Sequence, residues 1–232
     1  MKEKKINYAL KKKEDYNIWR TLFYLWADYC VCVPYFNIFY DLKVTGKENM
    51  KKGERYILAP NHISLLDPFV VASCVHKKVA YMAKKELFED KSTCKWVHWL
   101  GAFAVNREKL EIATIKTVKE VFKTKWWLGI FPQGKIIKYA PIAHVNKGFA
   151  AIAKATKTDI LPMGLSGCEE YSWKIYGKQL NVNIGKPISY ELPLEEIMIQ
   201  WAKQVGELSG YGYAPEDEII FNKSLVTESK GE

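Results

Sequence analysis

The chain has 232 residues, of which 48% are hydrophobic and 26% are charged. This size and composition fit one compact globular domain with a modest appendage, and they exclude a disordered chain, a collagen and a polytopic membrane protein. Lysine and arginine number 35 against 26 aspartates and glutamates, which gives a net charge of +9. The partners are therefore expected to be anionic: nucleic acid, an anionic membrane surface or a phosphorylated substrate.

Cysteine and aromatic content narrow the class further. The five cysteines, Cys30, Cys32, Cys74, Cys94 and Cys168, are odd in number and form no Cys-x-x-Cys pair. This pattern indicates a reduced, intracellular protein without a zinc site. Aromatic residues make up 14% of the chain and include eight tryptophans. Trp and Tyr are the side chains that settle at membrane interfaces.

The N-terminal residues 1–42 differ in texture from the rest. Lysines crowd residues 1–13, and an apolar, aromatic stretch runs from Ile18 to Tyr40. Arg20 and Asp28 lie inside this stretch and no small-residue cleavage site follows it, so a cleaved signal peptide is not expected. The same two charges argue against a simple membrane-spanning helix, since each costs about 3 kcal/mol at the bilayer centre.

A helical wheel of residues 15–29 separates two faces. The polar arc contains Asn17, Arg20, Thr21, Tyr24 and Asp28. The opposite side contains Ile18, Trp19, Leu22, Phe23, Leu25, Trp26 and Tyr29. Arg20 and Asp28 can share partners on their common face, and Pro34 is expected to stop or kink the helix. We interpret residues 15–40 as one or two helices lying in the membrane interface, with the lysine tail against anionic headgroups. The alternative is a core helix with a solvated polar face.

From Lys43 onward, short apolar runs alternate with amphipathic segments. Strands are predicted at Tyr56–Ala59, Val79–Ala83, Ala102–Val105, Leu128–Phe131, Ile160–Met163 and Leu180–Ile184. Helices are predicted at 68–76, 108–124 and 146–157. This alternation predicts an α/β domain with a largely parallel sheet flanked by helices, in which the chemistry lies in loops beyond the carboxyl ends of the strands. We expect this domain to span 43–213, followed by a polar, mobile tail at 214–232.

His62 and Asp67 follow the first predicted strand, in the run Pro60-Asn61-His62 through Asp67-Pro68. Five residues of helix would place the two side chains about 140° apart, so they cannot meet on one helix face. They can meet if His62 lies in the loop and Asp67 in the first helical turn, where the carboxylate would fix the imidazole tautomer and leave Nε2 as a general base. The alternative is a structural one, in which Asp67 is a helix N-cap before Pro68.

Further polar residues follow the later strands. Arg107, one of three arginines in the chain, comes directly after the strand that ends at Val105; arginine binds phosphate as a planar fork. Gln133-Gly134-Lys135 follows the strand that ends at Phe131, and its glycine allows a close approach of the backbone to a ligand. Lys147-Gly148 then opens a predicted helix.

In order and spacing these blocks resemble the glycerolipid acyltransferases of the 1-acyl-glycerol-3-phosphate acyltransferase type. The matching blocks are Pro60-Asn61-His62 through Asp67-Pro68, Ala83-Lys84-Lys85-Glu86-Leu87, Gly101-Ala102-Phe103 through Arg107, Phe131-Pro132-Gln133-Gly134, Lys147-Gly148 and Leu161-Pro162. The resemblance covers roughly residues 43–190. It implies an α/β acyltransferase in which His62 and Asp67 form a catalytic dyad, Arg107 contacts the phosphate of the acceptor, and amphipathic N-terminal helices dock on the membrane.

The third block departs from the family pattern, Phe-Pro-Glu-Gly-Thr-Arg. Gln133 replaces the glutamate, Lys135 the threonine and Ile136 the arginine. Gln133 can still hydrogen-bond an acceptor hydroxyl but brings no charge, and Lys135 could supply a cation without the bidentate geometry of arginine. Lysophosphatidic acid is therefore the first choice of acceptor, and another lysophospholipid or a single-hydroxyl lipid is the alternative.

The expected reaction transfers a fatty acyl group from a thioester to the hydroxyl of a lysolipid, with no tightly bound cofactor. Acyl-CoA or acyl carrier protein is the donor substrate. His62 acts as the base, Arg107 with Lys84 and Lys135 holds the phosphate, Gln133 orients the glycerol part, and backbone N–H groups near Gly134 stabilise the oxyanion. We expect the chain to act at the cytoplasmic face of a membrane as a peripheral or monotopic protein.

Other chemistry-bearing residues receive weaker assignments. His76, His98 and His144 are interpreted as structural or surface residues. Trp96, Trp99 and the Trp126-Trp127 pair could line an acyl tunnel, face the membrane or lie in the core. A non-catalytic lipid-binding relative remains an alternative, whereas nucleic-acid binding is not expected, because the basic residues are dispersed lysines and no nucleic-acid-binding motif occurs.

Overall fold

The computed structural model describes residues 10–105, 111–215 and 220–222. Within these ranges the strands are β1 Tyr40–Thr45, β2 Ile57–Pro60, β3 Val79–Lys84, β4 Phe103–Val105, β5 Trp127–Gly129, β6 His144–Asn146, β7 Ile160–Ser166, β8 Lys178–Ile184 and β9 Ile220–Asn222. The helices are α1 Ile18–Ala27, α2 Val33–Phe39, α3 Asp67–Val75, α4 Lys91–Trp99, α5 Ile112–Phe122, α6 Gly148–Thr156 and α7 Leu194–Ser209. A π-helical turn at Asp28–Cys32 joins α1 to α2.

Seven strands form one sheet in the order β1-β8-β7-β2-β5-β3-β4. Every neighbouring pair in it is parallel except β7 and β8. The predicted α/β architecture with a largely parallel sheet is therefore confirmed. Because β7, β2, β5, β3 and β4 run in one direction, the loops that follow them leave the same edge of the sheet, which is where such sheets bind ligands.

The sheet is buried on both faces, which explains the continuous apolar runs of its central strands. In β2, Ile57 and Ala59 face one core and Leu58 faces the other. Helices α5, α6 and α7 cover the first face, and α2 and α3 cover the second. Each of the six predicted strands overlaps an observed one, whereas β1, β6, β9, α4 and α7 were not predicted.

The N-terminal helix continues without a break from Ile18 to Phe39. Pro34 does not stop the helix, which continues to Phe39. The irregularity lies just before it, in the π turn, where the N–H of Val33 donates to the carbonyl of Asp28. By length and composition this helix could cross a membrane.

The helix buries its polar face and exposes its apolar one. Arg20, Tyr24 and Asp28 are each about 5% exposed, whereas Trp19 is 70% and Trp26 52% exposed. A core helix with a solvated polar face would show the reverse pattern, so that alternative is wrong. On this outer face, Trp19, Leu22 and Trp26 are each more than half exposed.

Arg20 and Asp28 do not share partners, contrary to the expectation. One guanidinium nitrogen of Arg20 lies 2.7 Å from His98 Nε2 on α4, and the Asp28 carboxylate accepts a hydrogen bond from the Ser73 hydroxyl on α3 at 2.8 Å. The two charges therefore fix the helix to two different elements of the α/β domain.

The structure bears on the two predicted boundaries of the domain, at residues 42–43 and 213–214. Strand β1 begins at Tyr40, so the division expected between residues 42 and 43 falls inside it. Part of the expected tail, residues 220–222, pairs in parallel with β6. The rest of that tail from 216, the N-terminal residues 1–9 and the stretch 106–110 lie outside the described residues.

Candidate active site

The loop between β2 and α3 carries the first candidate residues. Its first residue, Asn61, is fully buried and bonds the backbone of β7 twice: Nδ2 donates to the Leu165 carbonyl at 2.9 Å, and Oδ1 accepts from the Leu165 N–H at 2.7 Å. The side-chain amide thus continues the pairing of β2 with β7. This anchor fixes the path of the backbone into His62.

The structure brings His62 and Asp67 together. Nδ1 of His62 lies 2.7 Å from Oδ2 of Asp67, and the same oxygen accepts from the backbone N–H groups of Ile63 and Ser64 at 2.7 and 2.9 Å. The carboxylate caps the loop upstream and makes no cap bond with its own helix, so the N-cap alternative is wrong. The two backbone N–H groups can only donate, so Oδ2 accepts from them and carries no proton of its own. The contact between Oδ2 and Nδ1 is therefore a hydrogen bond in which Nδ1 carries the proton. Nε2 is then the ring nitrogen with a lone pair.

Gln133 holds this loop from the other side. Its side chain is buried, and Oε1 accepts the backbone N–H of His62 at 2.7 Å. The Ile137 N–H donates to the His62 carbonyl at 2.7 Å, and the Phe131 ring stacks on the imidazole with centroids 4.0 Å apart. The side-chain oxygen expected to orient the acceptor is therefore engaged by the His62 backbone. A glutamate would offer the same acceptor, so the exchange to Gln removes the charge and keeps this contact.

Among the backbone N–H groups near Gly134 that the sequence suggested as oxyanion donors, the N–H of Gly134 itself already has an acceptor. It donates to the Phe131 carbonyl at 3.0 Å and closes a turn. Gly134 has a φ of +68°, and a Cβ there would lie 2.5 Å from Asn146 Nδ2, so the turn requires glycine. The next two backbone N–H groups, those of Lys135 and Ile136, donate to no atom of the described residues. Both residues border the cavity that contains His62.

That cavity has a volume of about 590 Å³ and is lined mainly by apolar side chains, a size typical of ligand sites. His62 and Phe131 form one part of its wall, and Ala27 and Cys32 of the N-terminal helix form another. No tryptophan lines it: Trp126 and Trp127 are buried in the two cores, and Trp96 and Trp99 are exposed beside α1. These tryptophans therefore do not contribute to the described cavity beside His62.

The basic candidates have different settings. Lys84 and Lys135 are both exposed at the border of the cavity, and Lys84 forms an ion pair of 3.0 Å with Glu86. Arg107 lies outside the described residues; β4, which ends at Val105, precedes it. Lys147 precedes Gly148, the first residue of α6.

Sequence reasoning missed one residue in direct contact with the pair. The fully buried thiol of Cys168 donates to the second oxygen of Asp67, Oδ1, at 3.3 Å. Burial raises the pKa of the Cys168 thiol, which keeps it protonated as a donor. The signal that could have found it is its position directly beyond β7, the neighbour of β2 in the sheet.

The other histidines have structural surroundings. His98 is held between two basic side chains, with Lys11 Nζ 2.5 Å from Nδ1 and an Arg20 nitrogen 2.7 Å from Nε2. Burial and these two cations lower the pKa of His98 to about 4. His76 ends α3 in the left-handed conformation, and His144 lies in β6. Within the described ranges, no three His, Cys, Asp or Glu side chains stand close enough to hold a metal ion.

Comparison with known proteins identifies the family. A family model described as Acyltransferase matches residues 41–166. The 1-acyl-sn-glycerol-3-phosphate acyltransferase of Streptococcus pneumoniae is 32% identical over 137 residues, which are 58% of this chain and 50% of that protein. The protein of the same name from Bacillus subtilis is 27% identical over 148 residues, 63% of this chain and 73% of that one. The match thus spans half of the streptococcal relative.

A solved structure supports the fold. The 1-acyl-sn-glycerophosphate acyltransferase PlsC of Thermotoga maritima superimposes with a TM-score of 0.55 at 19% identity, covering 82% of this chain and 86% of that one. At this identity the likeness concerns the architecture alone. The family model, in contrast, covers more than half of the chain, including both members of the His62–Asp67 pair and Gln133. The chain therefore belongs to the acyltransferase family.

Proposed function

We propose that this chain transfers a fatty acyl group from an acyl thioester to the free hydroxyl of 1-acylglycerol-3-phosphate at a membrane surface. The observation that carries the proposal is the His62–Asp67 pair on the wall of an apolar cavity. The names of the relatives supply the acceptor. Acyl-CoA or acyl carrier protein is the proposed donor, and no tightly bound cofactor is needed, because a thioester is already activated.

His62 is the general base of this reaction. Nε2 takes the proton of the acceptor hydroxyl as its oxygen attacks the thioester carbonyl, a role worth about 10²–10⁴-fold in rate. Asp67 holds the ring through Nδ1 and stabilises the imidazolium that forms. When the C–S bond breaks, the imidazolium returns the proton to the thiolate, and the ester and the free thiol leave.

The carbonyl oxygen becomes negative during attack and needs donors that are already in place. We assign this role to the backbone N–H groups of Lys135 and Ile136, because their residues line the cavity with His62 and their N–H groups donate to no described acceptor. The bond between Ile137 and the His62 carbonyl ties the same loop to the base. Donor and base therefore belong to one rigid arrangement.

We assign the binding of the acceptor phosphate to the basic residues at the border of the cavity. Lys84 and Lys135 stand on the border of the cavity from two different loops. Arg107 is proposed as the bidentate phosphate ligand, on the resemblance of its block to the family pattern. Since β3 and β4 are neighbours and parallel, Lys84 and Val105, the last residues of these strands, lie at one edge of the sheet. Gln133 supports this site by holding His62, in place of the proposed contact with glycerol.

The apolar cavity is assigned to the acyl chain of the donor. It extends from the dyad to the inner side of the N-terminal helix, where Ala27 and Cys32 line it. Burial of apolar chain there contributes about 0.8 kcal/mol for each methylene group. The cavity thus places the thioester end of a bound chain near His62.

The N-terminal helix is proposed to lie flat on the membrane. Its outer side exposes the apolar row that contains Trp19, Leu22 and Trp26, while its inner side is fixed to α3 and α4 through Asp28 and Arg20. A helix held along a domain in this way cannot cross a bilayer unless the domain enters as well. We therefore propose a monotopic protein on the cytoplasmic face, with 1–42 as the docking region, 43–213 as the acyltransferase domain and 214–232 as a tail.

The test is an assay in detergent micelles with palmitoyl-CoA or palmitoyl carrier protein and a panel of lysolipids. We expect phosphatidic acid from lysophosphatidic acid, and an acceptor KM that rises in Arg107→Ala while kcat changes less. Activity confined to another lysolipid would reassign the acceptor, as the altered third block allows. No turnover of any donor and acceptor would refute the enzymatic proposal and favour a lipid-binding relative.

A further inference from the structure

The connection between β7 and β8, residues 167–177, reaches from the dyad to the end of the N-terminal helix. Gly167 turns the chain out of β7 with a φ of +99°, and a Cβ there would lie 1.8 Å from the Gln179 carbonyl oxygen. This turn is possible only for glycine. It places the next residue, Cys168, against Asp67 Oδ1.

At this end of the connection, the Asp67 carboxylate is fully buried and its two oxygens have different partners. Oδ2 serves His62 and two backbone N–H groups, and Oδ1 accepts the Cys168 thiol. Leaving a buried carboxylate oxygen without a hydrogen-bond donor costs free energy. The thiol therefore fixes the rotation of the carboxylate and, through it, the direction of the imidazole.

Beyond Cys168, the connection is hydrogen-bonded to the end of α2 and the start of β1. The Tyr40 hydroxyl donates to the Glu170 carbonyl at 3.1 Å and accepts the Ser172 N–H at 3.0 Å. The Tyr35 hydroxyl donates to the Ser172 carbonyl at 3.1 Å. The Tyr176 N–H donates to the Ile38 carbonyl at 2.9 Å. These contacts give the segment a defined position on the helix.

The tip nevertheless exposes large apolar side chains: Trp173 is 74% exposed, and Ile175 and Tyr176 are each 69% exposed. The Trp173 ring packs edge-on against Tyr35 and Phe39, with centroids 5.7 and 5.9 Å away. The tip is therefore continuous with the apolar face of the N-terminal helix, and it combines Trp and Tyr with the exposed Lys174. This composition fits the interface of an anionic bilayer.

We propose that the β7–β8 connection serves the reaction at both ends. Cys168 is a positioning residue that orients the Asp67 carboxylate, and the tip formed by Trp173, Ile175 and Tyr176 is a second contact with the lipid bilayer. This inference rests on the proposed acyltransferase function. It adds to that function a residue that acts through Asp67 and a bilayer contact outside the N-terminal region.

The positioning role of Cys168 is tested with Cys168→Ala, Cys168→Ser and the control Cys74→Ala, which removes another buried thiol. We expect kcat of Cys168→Ala to fall about tenfold, as for the loss of a hydrogen bond to a charged group, with little change in KM. The acidic limb of its kcat/KM profile should move to higher pH, because a carboxylate without this donor attracts the imidazolium proton more strongly. The serine variant should restore both properties.

Equal kcat values and pH profiles for Cys168→Ala and Cys74→Ala would overturn the positioning role, since loss of packing alone moves no pH limb. A serine variant as impaired as the alanine variant would also contradict it. Melting temperatures of all three variants show which losses come from unfolding. A wild-type chain that turns over no thioester would instead refute the proposed function itself.

The tip is tested by flotation with vesicles of phosphatidylcholine and phosphatidylglycerol. Ile175→Ser is compared with Ile112→Ser, an isoleucine on α5 that is also 69% exposed. We expect Ile175→Ser to weaken vesicle binding about tenfold, from the lost apolar burial, and Trp173→Ser to weaken it similarly, while Ile112→Ser binds as the wild type does. Unchanged binding of both tip variants would overturn the bilayer contact. A lipid-free dimer that Ile175→Ser dissociates would assign the tip to a second copy.

Discussion

The N-terminal helix and the central sheet bury opposite kinds of side chain. In the sheet, Leu58 and Leu128 are fully buried, as the hydrophobic effect in water requires. In the helix, the charged Arg20 and Asp28 are buried while Trp19 and Trp26 face outward. The difference teaches that water drives the packing of the sheet, whereas the outer face of the helix is the surface that we propose to lie on the membrane.

The polar contacts of the helix make the contrast specific. Arg20 reaches His98 and Asp28 reaches Ser73, so the inner face is fixed by directional bonds as well as by the buried rings of Tyr24 and Phe36. Such a face specifies one orientation of the helix and leaves Trp19 and Trp26 on its exposed side. The loop between β2 and α3 uses the same device, since buried polar groups around Asp67 orient the imidazole of His62, the proposed general base.

The largest expected effect concerns the buried polar group of the catalytic region. Asp67→Asn should lower kcat by about 10²–10⁴-fold, because the neutral amide no longer stabilises the imidazolium that forms when His62 takes the proton. Steady-state kinetics with Asp41→Asn, a surface aspartate paired with Lys43, provide the comparison. A loss of less than about tenfold in a folded Asp67→Asn protein would place the dyad in doubt.

The two faces of the helix should respond in opposite ways. Trp19→Ser and Trp26→Ser together should weaken vesicle binding at least about tenfold and leave the melting temperature nearly unchanged, because both side chains are exposed. Tyr24→Ala should lower the free energy of unfolding by about 3–5 kcal/mol, as for a buried aromatic. Tyr24 lies in the core and bonds the Lys77 carbonyl and the Val79 N–H.

Flotation and thermal unfolding of the double tryptophan variant and of Tyr24→Ala check this contrast. If the double tryptophan variant unfolds as readily as Tyr24→Ala, the outer face is part of the fold and not a lipid surface.

A smaller effect is expected at Gln133. Gln133→Leu should lower kcat about tenfold, since the His62 N–H loses a buried acceptor. Gln133→Glu keeps the acceptor and should retain most of the activity. Kinetics of the two variants separate the acceptor role from the charge, and equal losses in both would show that the contact with His62 is unimportant.

The smallest effect is a pH dependence of stability. The folded state lowers the pKa of His98 to about 4 from an ordinary value near 6.5, so the unfolded chain binds the proton first as the pH falls. The free energy of unfolding should therefore decrease from about pH 6.5 towards pH 4. Urea unfolding at several pH values should show a shallower decrease in His98→Gln. Parallel curves for both proteins would exclude His98 as the cause.

The sequence predicted the sheet better than the connections. Buried strands such as β2 and β7 are short apolar runs between turn residues, so their signal is local. Strand β1 was missed because it continues the apolar stretch of the helix and alternates in burial. Helix α7 was missed although Ile197, Trp201 and Val205 recur every four residues, a spacing that could have found it.

In the candidate site, too, the contacts between residues close in sequence were predictable and those between distant residues were not. His62 and Asp67 are five residues apart, and chain geometry alone limits how they meet. Cys168 contacts Asp67 across 101 residues, and only the strand order brings them together. The helical wheel likewise identified the two faces of the N-terminal helix, but which of them turns inward depends on His98 and Ser73, which are distant in sequence.

The most direct test of the account measures phosphatidic acid formed from palmitoyl-CoA or palmitoyl carrier protein and lysophosphatidic acid, by the wild-type chain and by His62→Ala. The account predicts product from the wild type and at least a hundredfold less, about the lower bound for a lost general base, from the variant. His144→Ala, which changes a histidine of β6, should behave as the wild type does. Equal rates for wild type and His62→Ala, or no product with either donor, would contradict the central claim.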